Sequence, residues 1–364
     1  MIKLKRKTAL LLLLSVSISS VLLSSTGVAF AGNAFSKESA FNIGRFTGRG
    51  GIKNGNPKDT PRSNYDFTYA WESDTQYYNS NDLWNKHQIN IHNWLVSNRD
   101  RMNIRYLFHT GDIVDDSREA RQWENADPAY RILDEAGLPY GVLAGNHDVA
   151  HGAFDYTGYC KYFGERRYRH NPWYGGSYKN NKGHYDLISA GGIDFIMVYM
   201  GWGIGDSEID WINSVLERYP RHRAMLCLHE YLTLPSIGGF REESRRVYNE
   251  VVKPNSNVFM VLSGHYYCAN RRADQIDDNG DGVPDRTVHQ LLFDYQDAEE
   301  GGQGYIRLMH FDLKGERIIV RAYSPSLNDY CLDCKDIPSE EEEFDLPFPS
   351  RPIRHSLPPS SVLQ

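Results

Sequence analysis

Five apolar runs in this chain each stop at a side chain able to hold a metal ion. YAWES leads to Asp74, RYLFHTG to Asp112, LPYGVLAG to Asn146, AMLCL to His229 and VFMVLSG to His265. Short apolar runs bounded by turn residues read as strands of a buried sheet. Open α/β sheets form their binding sites beyond the carboxyl ends of such strands. A single Asp or Asn after a strand is usually a turn residue, and a single His a satisfied polar group. Five in the same position, three of them next to Gly111, Gly145 and Gly264, exceed turn chemistry.

The elements between these runs set the fold class. Phe67–Ser73, Arg105–His109 and Leu138–Leu143 read as strands, with helical spacing over 82–98 and 117–136. Ser117 is the expected N-cap of the second helix, and Gly137 its end. Further strands are expected at 185–189, 195–200, 224–228 and 258–262, with a helix at 207–217. Antiparallel strands at 288–294, 305–312 and 318–322 close the pattern. Strand–helix alternation of this kind predicts an α/β fold, a parallel or mixed sheet covered by helices. Residues 150–183 form a polar, aromatic insertion, read as an ordered functional loop.

The ends of the chain carry different signals. Residues 1–31 read as a secretory signal peptide: Lys3, Lys5, Arg6 and Lys7, an apolar stretch from Ala9 to Leu23, then Ala29-Phe30-Ala31 for cleavage. On this reading the protein is secreted, with no transmembrane segment after cleavage. Loss of those four positive charges carries the net charge from −7 to about −11, which argues against stable nucleic-acid binding. Residues 32–64 read as a flexible leader, 65–338 as the folded domain, and 339–364 as a loose acidic and Pro-rich tail. Of five cysteines, Cys227 reads as a buried thiol; Cys331 and Cys334 suit a local disulfide, or half a zinc site lacking partners; Cys160 and Cys268 are unassigned.

Asp74-Thr75-Gln76, Gly111-Asp112-Ile113-Val114-Asp115, Gly145-Asn146-His147-Asp148, His229 and Gly264-His265 resemble, in order and spacing, the motifs of the calcineurin-like metallophosphoesterase superfamily. The resemblance spans residues 66 to about 325, and the Asp-Thr-Gln start looks like a secreted bacterial branch. It implies a four-layer α/β/β/α sandwich of two mixed β-sheets flanked by helices. It also implies hydrolysis of a phosphomonoester or phosphodiester by a metal-bound hydroxide. Asp112 would bridge two cations, and Asn146, His229 and His265 would complete the second. Such nitrogen and oxygen donors suit Mn, Fe, Zn or Co. His147 would protonate the leaving oxygen, and Asp115 would hold its tautomer.

The same resemblance places two departures on the first metal, which would take Asp74, residue 76, Asp112 and residue 267. These positions hold Gln76 and Tyr267 where the family has histidines. Three accounts compete. Gln76 and Tyr267 both bind, giving an oxygen-only site suited to Fe(III); Tyr267 turns away and the site is weak; or Gln76 only positions a water. The alternative function is a phosphoesterase-fold protein, catalytically impaired, that binds a phosphorylated or glycan ligand. Retention of His147 and Asp115 favours the enzyme.

Outside that core, Arg271 and Tyr174 are candidate substrate contacts, with a phosphorylated small molecule or cell-envelope polymer as the expected partner. His151, Arg166, Arg167, His170 and Trp173 are expected in the roof of the site. Asp277, Asn279, Asp281 and Asp285 have the spacing of a Ca²⁺ loop, but Val288 stands where the closing glutamate belongs. The competing reading, a hairpin turn on Asn-Gly and Asp-Gly, is preferred.

Overall fold

The structure, a computed structural model, describes residues 56–349 except 235, 237 and 331–336. The expected signal peptide, most of the expected leader, Cys331 and Cys334, and the Pro-rich end of the tail lie outside the described residues.

Among the described residues, fourteen strands build two sheets. They are β1 (Phe67–Glu72), β2 (Ile104–His109), β3 (Tyr140–Val142), β4 (Tyr174–Tyr178), β5 (Gly183–Ala190), β6 (Ile193–Met200) and β7 (Arg223–Leu228). The second half contributes β8 (Val258–Ser263), β9 (Cys268–Ile276), β10 (Arg286–Asp294), β11 (Ile306–Asp312), β12 (Arg317–Ser324), β13 (Asp329–Tyr330) and β14 (Glu343–Pro347). One sheet runs β13-β12-β11-β1-β2-β3, with β14 also on β12; the other runs β4-β5-β6-β7-β8-β10-β9. In the first, β1, β2 and β3 are parallel. In the second, β7, β8 and β10 are parallel.

The layers follow from two-sided burial. Along β1, Phe67, Tyr69 and Trp71 enter the core between the sheets, while Ala70 faces the helices. The inter-sheet core is aromatic: Phe67 stacks on Phe311 at 4.6 Å, and Tyr69 meets Phe195 edge-on at 5.5 Å. Such pairs add ~0.5–1.5 kcal/mol each beyond area burial. Helices α1 (Gln76–Ser80), α2 (Asn85–Asn98), α3 (Ala120–Ala136), α4 (Thr157–Phe163) and α5 (Glu165–Tyr168) lie on the side of the first sheet. The α2–α5 helices bury Ile91, Leu95, Tyr130, Leu133, Phe163 and Tyr168 there. On the second sheet, α6 (Asp206–Arg218) and α7 (Glu242–Val247) bury Ile209, Ile212 and Val247. The architecture is the expected four-layer α/β/β/α sandwich.

Several local expectations change. Helix α3 begins at Ala120, not at Ser117, and Glu119 before it makes no side-chain cap. The Ser117 carbonyl accepts the Trp123 indole N–H at 2.8 Å instead. Gly137 does end the helix, in the left-handed region at φ 58°. The insertion is largely regular structure: α4 packs on α3, β4 extends the second sheet on β5, and Arg167 of α5 pairs with Asp127 and Asp134 of α3, each at 2.7 Å. The acidic segment after 339 is not loose. Glu343–Pro347 adds to β12, and Phe344, Leu346 and Phe348 enter the inter-sheet core. The end of the leader is also held, because Asp59 pairs with Arg101 at 3.1 Å and accepts the Tyr330 hydroxyl at 2.6 Å.

Candidate metal centre

The parallel strands of both sheets release their carboxyl ends at one edge, and there the expected donors meet. His229 Nε2 lies 3.2 Å from Asp112 Oδ2, 2.9 Å from Asn146 Oδ1 and 3.2 Å from His265 Nδ1. Asp112, His229 and His265 form the single group of three His, Cys, Asp or Glu donors within 4.8 Å of one another among the described residues. His229 donates Nδ1–H to the Thr110 carbonyl, so its Nε2 lone pair faces the cluster. Three acceptors and the His265 Nδ1 then face one another, and a proton or a cation is needed to hold them there. Without a cation the proton serves. Burial opposes charging His229, but the Asp112 carboxylate beside it outweighs that and lifts the imidazole to about 10. Burial likewise opposes charge on Asp112, which His229 and then His147 hold below the ordinary carboxylate range. The donor set fits a transition-metal ion.

The backbone is bent to aim these groups. Asp74, Asp112 and His265 all sit at positive φ, at 52°, 56° and 78°. Non-glycine residues adopt this conformation only where the surroundings enforce it. The His265 N–H donates to both Asp74 carboxylate oxygens, at 3.1 and 3.2 Å, tying the end of β8 to that of β1 across the sheets. Glycines allow the approach. A Cβ on Gly264 would stand 2.1 Å from Asp74 Oδ2, and one on Gly145 2.1 Å from Asp112 Oδ1.

His147 lies beside the cluster. Its N–H donates to Asp112 Oδ1 at 3.0 Å, and its Nδ1–H to the main-chain oxygen of Asp115 at 2.7 Å. The Asp115 carboxylate is farther away, at 3.4 Å, so the main chain rather than the carboxylate is the principal holder of the tautomer. Gln122 fixes that turn by accepting the Asp115 and Asp116 N–H groups. The His147 and His151 rings meet edge-on at 4.4 Å, and Asn146 Nδ2 donates to His151 Nδ1 at 3.0 Å. Of the roof expected from the insertion, His151 is the member brought to the centre. Trp202, unmarked in the sequence, lies 5.2 Å from His265 and 5.8 Å from His229, ring to ring.

Gln76 opens α1 and is buried; its amide N–H donates to Gln296, and its carbonyl oxygen has no partner. Tyr267 is half-buried in the bend between β8 and β9. Tyr174 and Arg271 do not reach the centre. Tyr174 donates to Asn181 and stacks on Tyr168 and His184. Arg271 lies over the Phe344 ring with Glu341 at 3.5 Å. Arg166 and His170 are exposed, and Trp173 packs against the inter-sheet core. The 277–285 segment is the β9–β10 hairpin loop. Asp277 accepts the Gly280 and Gly282 N–H groups and Asp285 those of Asp278 and Asn279, while the Asn279 and Asp281 side chains accept Asp281 N–H and Val283 N–H.

Two buried carboxylates went unassigned in the sequence. Asp148 accepts the N–H groups of Ile113, Val114 and Gly145, each at 2.9 Å, and so fixes the Asp112 and Asn146 turns together. Its place after Gly-Asn-His was the available signal. Asp294 ends β10. A cavity of about 350 Å³ lies elsewhere, where strands of the second sheet begin, lined by Arg223, Phe259 and His289.

The chain is 50% identical over 289 residues to the Bacillus subtilis protein YvnB, described as uncharacterized, spanning 79% of this chain but only 22% of that protein. A purple acid phosphatase from yellow lupin (Lupinus luteus) seeds aligns with a TM-score of 0.48 at 13% identity, over 80% of this chain and 55% of that one. A dimetal phosphatase from Danio rerio aligns with a TM-score of 0.49 at 12% identity, over 78% and 99%. The family model for calcineurin-like phosphoesterases matches residues 67–269. That match covers the strand ends and loops that carry Asp74, Asp112, Asn146, His147, His229 and His265, and the chain belongs to the calcineurin-like phosphoesterase family.

Proposed function

We propose that this metal-dependent phosphoesterase hydrolyses phosphomonoesters or phosphodiesters outside the cell, with His147 as the acid for the leaving oxygen. The observation that carries the reading is His147 itself. Its Nδ1 is committed to the Asp115 main chain, which leaves Nε2 as the free nitrogen, one residue after Asn146 of the donor cluster. A pure binding protein needs no proton donor at that place. Asp112, Asn146, His229 and His265 would hold one cation of the pair that the family implies, and Asp74, Asp112 and Gln76 border the other. When bound, the cations supply positive charge for the phosphoryl oxygens and acidify the attacking water. His147 and the His151 ring beside it would face the departing group, and the Trp202 ring packs against His229 and His265.

Mn, Fe, Zn and Co are the candidate metals on donor chemistry. Export rests on the basic, apolar and Ala-x-Ala pattern of residues 1–31; an N-terminus at Gly32 in protein from the culture medium would support it. Among the described residues no helix is long and apolar enough to cross a membrane. The test of activity is turnover of p-nitrophenyl phosphate and bis-p-nitrophenyl phosphate by protein reloaded with each metal. Turnover of either supports the reading and ranks mono- against diesterase; no turnover with any metal overturns it in favour of a binding protein.

A further inference from the structure

We propose that the first cation of this centre is held by oxygen alone, with the Asp294 carboxylate and the Gln76 carbonyl joining Asp74 and Asp112. This rests on the metal-dependent reading above and names a donor, Asp294, that the motif pattern does not contain.

The placement comes from sheet pairing. β10 runs parallel to β8, with Leu292 opposite Ser263, so Asp294 leaves its strand at the level where Gly264 and His265 leave theirs. On the other side it pairs with Cys268, three residues past His265. Asp294 is thus a sixth donor at a strand end, after Asp74, Asp112, Asn146, His229 and His265. It is fully buried, as are Asp74 and Asp112. The His265 N–H at that level donates to both Asp74 oxygens, which ties the strand end beside Asp294 to Asp74. Buried carboxylates gathered at one sheet edge favour a cation among them.

Gln76 gives the second, independent observation. Asp294 accepts the Gln296 N–H and its side-chain amide, each at 2.8 Å. Gln296 therefore offers its carbonyl to the Gln76 amide. That chain fixes which end of Gln76 is spent and leaves Oε1 buried with no hydrogen-bond donor. An orphaned buried acceptor is costly unless a cation takes it. Asn79, one turn along α1, donates to the Ile113 carbonyl at 2.8 Å and locks the helix against the Asp112 loop. Gln296 is a positioning residue in this scheme. Four oxygen donors with no histidine favour Mn²⁺ or Mg²⁺ over Zn²⁺, whereas the His229–His265 side accepts Zn²⁺.

The experiment is metal titration of the chelator-stripped full chain by calorimetry, with bound metal counted by mass spectrometry. Wild type should bind two Mn²⁺ per chain but only one Zn²⁺ tightly. Asp294→Asn and Gln76→Leu should each keep one Mn²⁺ and weaken the other by about tenfold or more. The spin-coupled Mn–Mn resonance signal should be lost with it. Unchanged binding of both Mn²⁺ ions in the two variants overturns the proposal. Wild type that turns over phosphoesters with a single cation overturns this inference and leaves the function standing. Wild type that turns over nothing with two cations bound overturns the function and leaves this donor set standing.

Discussion

His229 donates its Nδ1 proton to the Thr110 carbonyl at 2.8 Å, and this one bond decides which nitrogen faces Asp112, Asn146 and His265. The carbonyl belongs to the turn that carries Asp112, so the imidazole and the carboxylate are set by the same piece of backbone. His229→Ala should therefore weaken one cation by more than about 100-fold, beyond the usual effect of losing an outer partner. Chelation should lower the melting temperature of wild type by more than that of the variant. Calorimetric titration and thermal melts check both.

Gly264→Ala should damage the centre without touching a donor. Its Cβ would lie 2.1 Å from Asp74 Oδ2 and 2.2 Å from Ser73 Oγ, inside any tolerable contact. Forced repacking of this kind costs ~1–3 kcal/mol. Urea unfolding of the metal-free protein should show that loss, and metal counting a deficit at the Asp74 side.

His147→Ala should lower kcat by ~10²–10⁴ while both cations stay bound, because its side chain supplies no donor to the cluster. Asp115→Asn should cost less than about tenfold, far below the His147 effect, since the 2.7 Å bond goes to the Asp115 main chain and the carboxylate stands at 3.4 Å. Steady-state kinetics on bis-p-nitrophenyl phosphate separates the two. Equal losses would return the tautomer to the carboxylate.

Acid should destabilise the fold through histidines far from the centre. Burial lowers His184 and His310 each to about 3. In the unfolded chain they titrate near ~6.5. Their contribution is thus complete above that value and shrinks as pH falls from about 6.5 toward 3, by up to ~1.4 kcal/mol per pH unit per group. His184 stacks on Tyr199 at 4.4 Å, and phenylalanine can keep that stack. His184→Phe should flatten the pH dependence of unfolding free energy near pH 5 by about one proton's slope, measured by urea melts from pH 4.5 to 7.

The candidate centre was largely legible because its donors are local events. Asp112 and Asn146 each close an apolar run after a glycine, and such a string carries both the strand and its turn. The insertion was less legible. Its aromatic and basic residues suit a ligand or a packing face equally well, and the structure shows Arg167 and Tyr174 packing and pairing within the protein, while His151 reaches the centre.

By itself the sequence determined the α/β alternation, the glycine-backed turns and the identity of the donors at five strand ends. Tertiary structure decided which strands lie side by side. LLFD at 291–294 reads locally as one arm of a hairpin with β9, and it is that. Its other edge pairs in parallel with β8, which turns Asp294 toward the same edge as His265. Backbone hydrogen bonds between distant strands leave no mark in either strand's own residues, so the arrival of Asp294 at the edge that carries His265 is a property of the folded sheet.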